Sequence, residues 1–298
     1  MTKMPRPETI IRRSLKKVPL SRRVRRKCQR MWSEARLAAR KARYRRQVGG
    51  WDTKQVAFVF GCQRSGTNMV LRTLAASMEV DRVEESDPAG FCDCRIRDQA
   101  VRDALVARST AKCVIFKPIC DSHRALELYA EDPGSRGIWI YRRYQDVANS
   151  AVEYWGDQTQ RFLEDLLKGD GNWGVAQWNR EKVTPECVAE LRQAAADGLS
   201  PHAAAALFWY MRNRTYFEQK LDAHPATLLV RYEDVVTDPA GEFERLCRFL
   251  NINFGEEMAA KVFSSSVKKR PFPPVGAKVE ALCEGMLARL DAVRASAR

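Results

Sequence analysis

Val56-Ala57-Phe58-Val59-Phe60-Gly61-Cys62-Gln63-Arg64-Ser65-Gly66-Thr67-Asn68 joins an apolar run to a loop with glycines five residues apart. Five consecutive apolar residues, β-branched and aromatic among them, read as a buried strand. The loop is followed by Met69, Leu71, Leu74, Ala75 and Met78 at helical spacing, so its G-x-x-x-x-G frame sits at a helix N-terminus, where backbone N–H groups bind anions. Nucleotide-hydrolysing loops of this kind continue with Lys and then Ser or Thr: the lysine reaches the terminal phosphates and the hydroxyl holds Mg²⁺. Here Thr67 and Asn68 stand in those places. The loop is therefore expected to cradle a phosphate-like group without the Mg²⁺-triphosphate apparatus.

Working outward, the pattern predicts strands over 55–61, 113–117, 137–141 and 227–231. Helices are predicted over 67–78, 99–107, 144–155, 201–221, 239–250 and 278–295. Alternating strands and helices imply an α/β fold, a parallel sheet flanked by helices on both faces, with ligands beyond the C-terminal ends of the strands. Residues 156–200 read as an insertion carrying a helix over 185–196, and 264–277 as an extended basic loop.

The 298 residues, 45% hydrophobic, carry a formal charge of +14. Residues 1–50 hold 18 Lys/Arg against 2 Asp/Glu, and the remainder 33 against 35, so the basicity belongs to an arm. The division expected is an arm over 1–50, partly helical or disordered, and one domain over 51–298. Charges interrupt the arm every few residues, which excludes a signal peptide or transmembrane segment and suggests a cytoplasmic protein. Solvated extension, attachment to an anionic surface such as a membrane, and an extension that orders against the body are the three readings of the arm. A near-neutral body without an aromatic-basic stripe argues against specific nucleic-acid binding. Nine cysteines without C-x₂-C spacing and only three histidines predict reduced thiols and no metal site.

A second anion site is offered by Ile138-Trp-Ile-Tyr-Arg142-Arg143-Tyr-Gln-Asp146-Val-Ala-Asn-Ser150. Arg142 emerges at the C-terminal edge of a strand, and Ser150 lies about two helical turns further on. A guanidinium and a hydroxyl converging on one oxyanion suit phosphate; a surface ion-pair set of Arg142, Arg143 and Asp146 is the alternative.

These segments, together with Leu229-Val-Arg-Tyr232-Glu-Asp-Val-Val-Thr-Asp238-Pro239 and the helix that follows, resemble the P-loop-type sulfotransferase family in order and spacing over most of residues 55–255. The resemblance implies a P-loop NTPase-like sulfotransferase fold and transfer of a sulfuryl group from 3′-phosphoadenosine 5′-phosphosulfate (PAPS) to a hydroxyl or amine, with no metal. It implies that Ser65, Gly66, Thr67 and Asn68 hold the 5′ end and Arg142 and Ser150 the 3′-phosphate. Arg64 takes the place of the catalytic lysine of cytosolic members, as in tyrosylprotein-type and bacterial members, and Tyr232 resembles an adenine contact, with core packing the other reading. Cytosolic members carry a base histidine in K-T-H; this chain has Lys117-Pro118-Ile119, so Glu85, then Glu84, is the candidate base. The R-K-G of cytosolic members is absent, and Lys268, Lys269 and Arg270 stand in its region. The acceptor is expected to be a small molecule, glycan or lipid. A nucleotide kinase or NTPase and an inactive anionic-surface binding protein are the alternatives.

Overall fold

The computed structural model describes residues 20–169, 174–260, 262 and 267–296. The chain divides after Gly49 into two units. The described part of the first is one helix, α1 (Leu20–Val48), in the arm expected to be partly helical or disordered. Arg45 and Arg46 occupy its last turn, where cations complement the helix dipole, and Arg46 Nε donates to the Ala42 carbonyl. Met31 and Trp32 are exposed.

The second unit runs β1 (Gln55–Gly61), α2 (Thr67–Leu74), β2 (Val80–Val83), a hairpin of β3 (Phe91–Cys92) and β4 (Arg95–Ile96), α3 (Gln99–Arg108) and β5 (Cys113–Phe116). A 3₁₀ segment (Ile119–Arg124), α4 (Ala125–Glu131), β6 (Arg136–Tyr141), α5 (Tyr144–Trp155), α6 (Gln158–Lys168) and a second 3₁₀ segment (Gly174–Arg180) follow. The remainder is α7 (Pro185–Ala194), α8 (Pro201–Glu218), β7 (Thr227–Arg231), α9 (Tyr232–Thr237), α10 (Pro239–Phe249), α11 (Glu256–Ala259) and α12 (Ala277–Ser296). The main sheet is parallel in the order β2-β5-β1-β6-β7. After β1 the chain builds toward β5 and β2, and then crosses to β6 and β7 on the other side. The C-terminal ends of β1 and β6 therefore flank the switch in strand order where ligands of such sheets collect.

Alternation along the strands gives the sheet two unlike faces. Phe58, Phe60, Phe116, Trp139 and Tyr141 lie on one, in a core shared with α8. Ala57, Val59, Ile115, Ile138, Ile140 and Val230 lie on the other, packed with α2 and α10. The four consecutive alanines Ala203–Ala206 of α8 are buried; small side chains leave room for the aromatic face.

Sequence and structure differ at several places, among them these four. α2 stops at Leu74, short of Met78, where the Ala75 N–H closes the last turn onto the Leu71 carbonyl. β5 ends at Phe116, leaving Lys117 just beyond the strand. β2 was not anticipated, because four residues with Asp81 and Arg82 between two valines make too short and polar a run at a sheet edge. The span 156–200 holds α6, whose Phe162, Leu163 and Leu166 are buried, in addition to the expected α7.

Candidate active site

All five strands of the main sheet deliver a named residue just past their C-terminal ends: Gly61 to Asn68 after β1, Glu84 and Glu85 after β2, Lys117 after β5, Arg142 after β6 and Tyr232 after β7. A parallel sheet does this because each strand leaves in the same direction and its crossover starts on the same edge.

The loop after β1 depends on two glycines. Gly61 has φ 132°, and a Cβ there would run into the carbonyl oxygen of Ile140, so only glycine lets β1 lie this close to β6. Gly66, at φ 92°, caps α2, and a Cβ on it would overlap the Tyr232 ring. Arg64 adopts φ 70° without being glycine, a strained placement that turns its side chain out of the loop. Ser65 is fully buried, and its Oγ has no hydrogen-bond partner among the described residues. A buried hydroxyl at a helix N-terminus that no side chain caps is a fit for an anionic oxygen.

Arg64 and Arg142 border the same space. The Arg64 guanidinium lies 4.6 Å from the centre of the Tyr154 ring, and its Nε donates to Ser150 Oγ at 3.0 Å. Burial lowers its pKa from the ordinary arginine range; Tyr154 and Glu153 oppose this, and the charge of Arg142 adds to it. Arg142 and Asp146 are both buried, with Nη2 3.6 Å from Oδ2, so the ion pair of the alternative reading forms, though away from the surface. The Arg142 guanidinium sits 4.5 Å over the Tyr232 ring, and the Trp209 indole donates to the Arg142 carbonyl at 2.9 Å. Tyr232 is thus packed between Gly66 and Arg142. Of the expected pair of Arg142 and Ser150, the serine is engaged by Arg64.

Glu85 and Glu84 part company. Glu85 Oε2 accepts from Lys117 Nζ at 2.7 Å, and the same ammonium donates to Asn68 Oδ1 at 2.7 Å. Cys120 Sγ lies 3.6 Å from Glu85 Oε1. Glu84 instead faces Arg82 at 3.2 Å and Arg72 at 3.9 Å. The structure therefore brings Glu85, and not Glu84, to the start of α2.

From the sequence, Lys117 was expected only within a segment, 117–122, lining the acceptor side, and Asp146 only in the alternative ion-pair set. Lys117 is buried and ties the loop after β1 to the segment after β2. Its signal was a lysine directly ending an apolar strand. Besides facing Arg142, Asp146 accepts from the Lys268 backbone N–H at 3.1 Å, and Arg270 pairs with Glu153 at 2.9 Å. The described part of the basic loop therefore lies along α5, beside Arg142 and Ser150. A cavity of about 480 Å³ opens at the opposite edge of the sheet, lined by Lys54, Gln55, Lys112, Asp132 and Arg136 among others. Its Lys54 is occupied with the carbonyls of Val106, Ala107 and Ser109 at the end of α3, a capping role. Among the described residues no cluster of His, Cys, Asp and Glu is arranged to hold a metal.

Comparison with known proteins agrees with this geometry. The sulfotransferase-domain family model matches residues 54–271. Two solved structures are similar, and the first shares the fold. One, a sulfotransferase domain from the curacin biosynthetic pathway, is 14% identical with TM-score 0.50, over 78% of this chain and 98% of that one. The other, a sulfotransferase from Alicyclobacillus acidocaldarius, is 15% identical with TM-score 0.49, over 81% and 96%. Comparison with curated protein sequences gives no match. With its match spanning the whole sheet and every residue gathered at the sheet's C-terminal edge, this chain belongs to the sulfotransferase-domain family.

Proposed function

We propose that the protein transfers a sulfuryl group from PAPS to the hydroxyl or amine of a carbohydrate, lipid or other small acceptor by direct in-line displacement, without a metal ion. The observation that carries this reading is the pairing of a buried, unpartnered Ser65 hydroxyl at the start of α2 with two guanidiniums, Arg64 and Arg142, that border the same space. Two like charges this close suit a ligand with two separate anionic groups, as PAPS has at its 5′ and 3′ positions.

In this reading the N–H groups from Ser65 to Asn68 hold the 5′-phosphosulfate, while Arg142 and Ser150 hold the 3′-phosphate. Tyr232, with its ring already between Gly66 and Arg142, supports them as a platform beneath Arg142. Arg64 meets the charge that builds on the bridging oxygen as the sulfur–oxygen bond breaks. Glu85 takes the proton of the attacking hydroxyl, and Lys117 holds that carboxylate against Asn68 so that base and loop move as one.

The acceptor pocket is assigned to residues 80–98 and 156–200, where Trp178, with Trp155 just before the second stretch, suits a sugar or aromatic face; Trp173, in the same stretch, lies outside the described residues. Screening carbohydrate, lipid and peptide hydroxyls with labelled PAPS identifies the class. Calorimetry tests the donor: phosphoadenosine phosphate should bind without Mg²⁺ and more tightly than ATP with Mg²⁺. Mg²⁺-dependent preference for ATP would replace this function by that of a kinase or NTPase.

The arm is assigned to an anionic membrane surface. The exposed faces of Met31 and Trp32 among arginines support this, since an interfacial helix combines an apolar anchor with cations. No helix among the described residues is long and apolar enough to cross a membrane.

A further inference from the structure

Two thiols meet beside Glu85. Cys94 lies at the tip of the β3–β4 hairpin, where Asp93 and Cys94 have φ of 49° and 66° between the paired residues Cys92 and Arg95. Two central residues with positive φ make a type I′ turn, whose second central position favours glycine. A cysteine there is strained. Cys120 comes from the 3₁₀ segment after β5 and is buried, whereas Cys94 is exposed. The two thiols are close enough to shift each other's ionisation, Cys94 downward and Cys120 upward.

The next residues pin this meeting. Arg95 Nε donates to Asp121 Oδ1 at 2.6 Å, the Ile96 N–H donates to Asp121 Oδ2 at 2.8 Å, and Asp121 is fully buried. Each cysteine therefore sits one residue from an interlocked contact between hairpin and 3₁₀ segment, and the approach of the sulfurs is built into the backbone. Cys120 Sγ donates its proton to Glu85 Oε1 at 3.6 Å.

We propose that Cys94 and Cys120 form a dithiol site that a two-electron oxidant of the peroxide class closes to a disulfide, and that closure takes the Cys120 proton away from Glu85. The second half of this statement rests on the role of Glu85 given above. The Cys94 thiolate attacks one peroxide oxygen, the O–O bond breaks, and Cys94 becomes a sulfenic acid as hydroxide leaves and is protonated to water. Cys120 then attacks the Cys94 sulfur; the S–S bond forms, the S–O bond breaks, and the Cys120 proton leaves with the hydroxyl as a second water. Two thiols lose two electrons and two protons, and one peroxide becomes two waters. A reducing thiol reopens the bridge by exchange.

The other thiols of the body do not compete equally. Burial holds Cys62, Cys113, Cys187 and Cys247 at about 12, which leaves little thiolate. Cys94 is exposed, and the neighbouring Cys120 thiol lowers its pKa from the ordinary cysteine range, the combination that makes a thiol attack first. Cys92, two residues away and also exposed, has its neighbour Asp93 in the turn between it and Cys94.

The test is peptide mapping of the full chain after hydrogen peroxide and alkylation. Expected is a linked Cys94–Cys120 peptide lighter by two hydrogens, formed also in Cys92→Ser, absent from Cys94→Ser and Cys120→Ser, and reversed by dithiothreitol. A dominant Cys92–Cys94 bridge, a bridge between chains, or Cys94 accumulating as sulfinic acid without a bridge would overturn the site. Turnover separates the two halves: the bridged protein should lose about tenfold or more in kcat, on the scale of general-base effects, with phosphoadenosine phosphate binding unchanged. A bridge that leaves kcat intact overturns the coupling to Glu85. Absence of sulfuryl transfer in the reduced protein instead sinks the proposed function and leaves the bridge standing.

Discussion

At the scale of single residues, the site is a set of side chains with unequal duties, and substitution should separate them. Arg142 is buried against Tyr232 and Asp146 and faces the proposed 3′-phosphate. Losing a charge-assisted contact of this kind costs about 1.5–3 kcal/mol, so Arg142→Ala should weaken phosphoadenosine phosphate roughly ten- to hundredfold by calorimetry. Glu85→Gln keeps an oxygen for Lys117 but cannot take a proton. It should lower kcat by about two to four orders of magnitude with nucleotide affinity preserved, and unchanged kcat would remove Glu85 as the base. Alanine is the poorer probe at this position, because it would strand the buried Lys117 ammonium. Gly61 plays a purely steric part. Gly61→Ala sets a Cβ against the Ile140 carbonyl at φ 132°, and should shift the urea midpoint by the equivalent of about 2 kcal/mol or more.

At the scale of elements, the 3₁₀ segment Ile119–Arg124 joins the Glu85 side of the site to the hairpin and to α8, and it carries a pH dependence. His123 is buried, with Nε2 2.9 Å from Glu181 Oε2, and burial, reinforced by the charge of Arg212, lowers its pKa to about 4. An unfolded histidine titrates near 6.5, so between about 6.5 and 4 the unfolded chain binds a proton that the folded chain refuses. Stability is therefore full above that window and falls through it as pH drops. Glu181, lowered chiefly by its hydrogen bond from Arg95, acts in the same direction at the acid end. The urea midpoint should decline from pH 6.5 to 4.5, and His123→Asn should flatten the decline; an equal slope in the variant would refute this source. The sequence hid this element. Lys-Pro-Ile-Cys-Asp-Ser offers neither period 2 nor 3.6, and its coherence comes from Asp121 and His123 bonding to residues 26 and 58 positions away. β1, β5 and β6 were legible because buried parallel strands are apolar on both faces, and the loop after β1 because its glycines answer to local backbone geometry. β2 was not, since its four residues set Asp81 and Arg82 between two valines. The Arg64–Ser150 pairing was equally hidden, since only the β1–β6 register sets two residues 86 apart side by side.

At the scale of the whole molecule, charge is segregated. The arm carries 18 of the 51 Lys and Arg residues in its first 50 positions, while the remaining chain is close to neutral. Within α1, Arg36, Arg40, Arg43 and Arg46 are exposed, and so are Met31 and Trp32. Each cation near an anionic leaflet contributes about 1 kcal/mol, so the helix can attract lipid without any apolar span. Such attraction is screened over about 8 Å at physiological salt, whereas an inserted tryptophan is not. The two contributions can therefore be told apart. The full chain should sediment with phosphatidylserine-containing vesicles and not with neutral ones. A chain starting at Gly50, which keeps the matched family region 54–271 and both hydrophobic cores, should stay in the supernatant with its nucleotide binding intact. Trp32→Ser should leave binding at low salt and lose it as salt rises, because only the screened contribution remains. Equal vesicle binding by the full and shortened chains would show that the arm's charge serves something other than lipid, and would return it to a solvated extension.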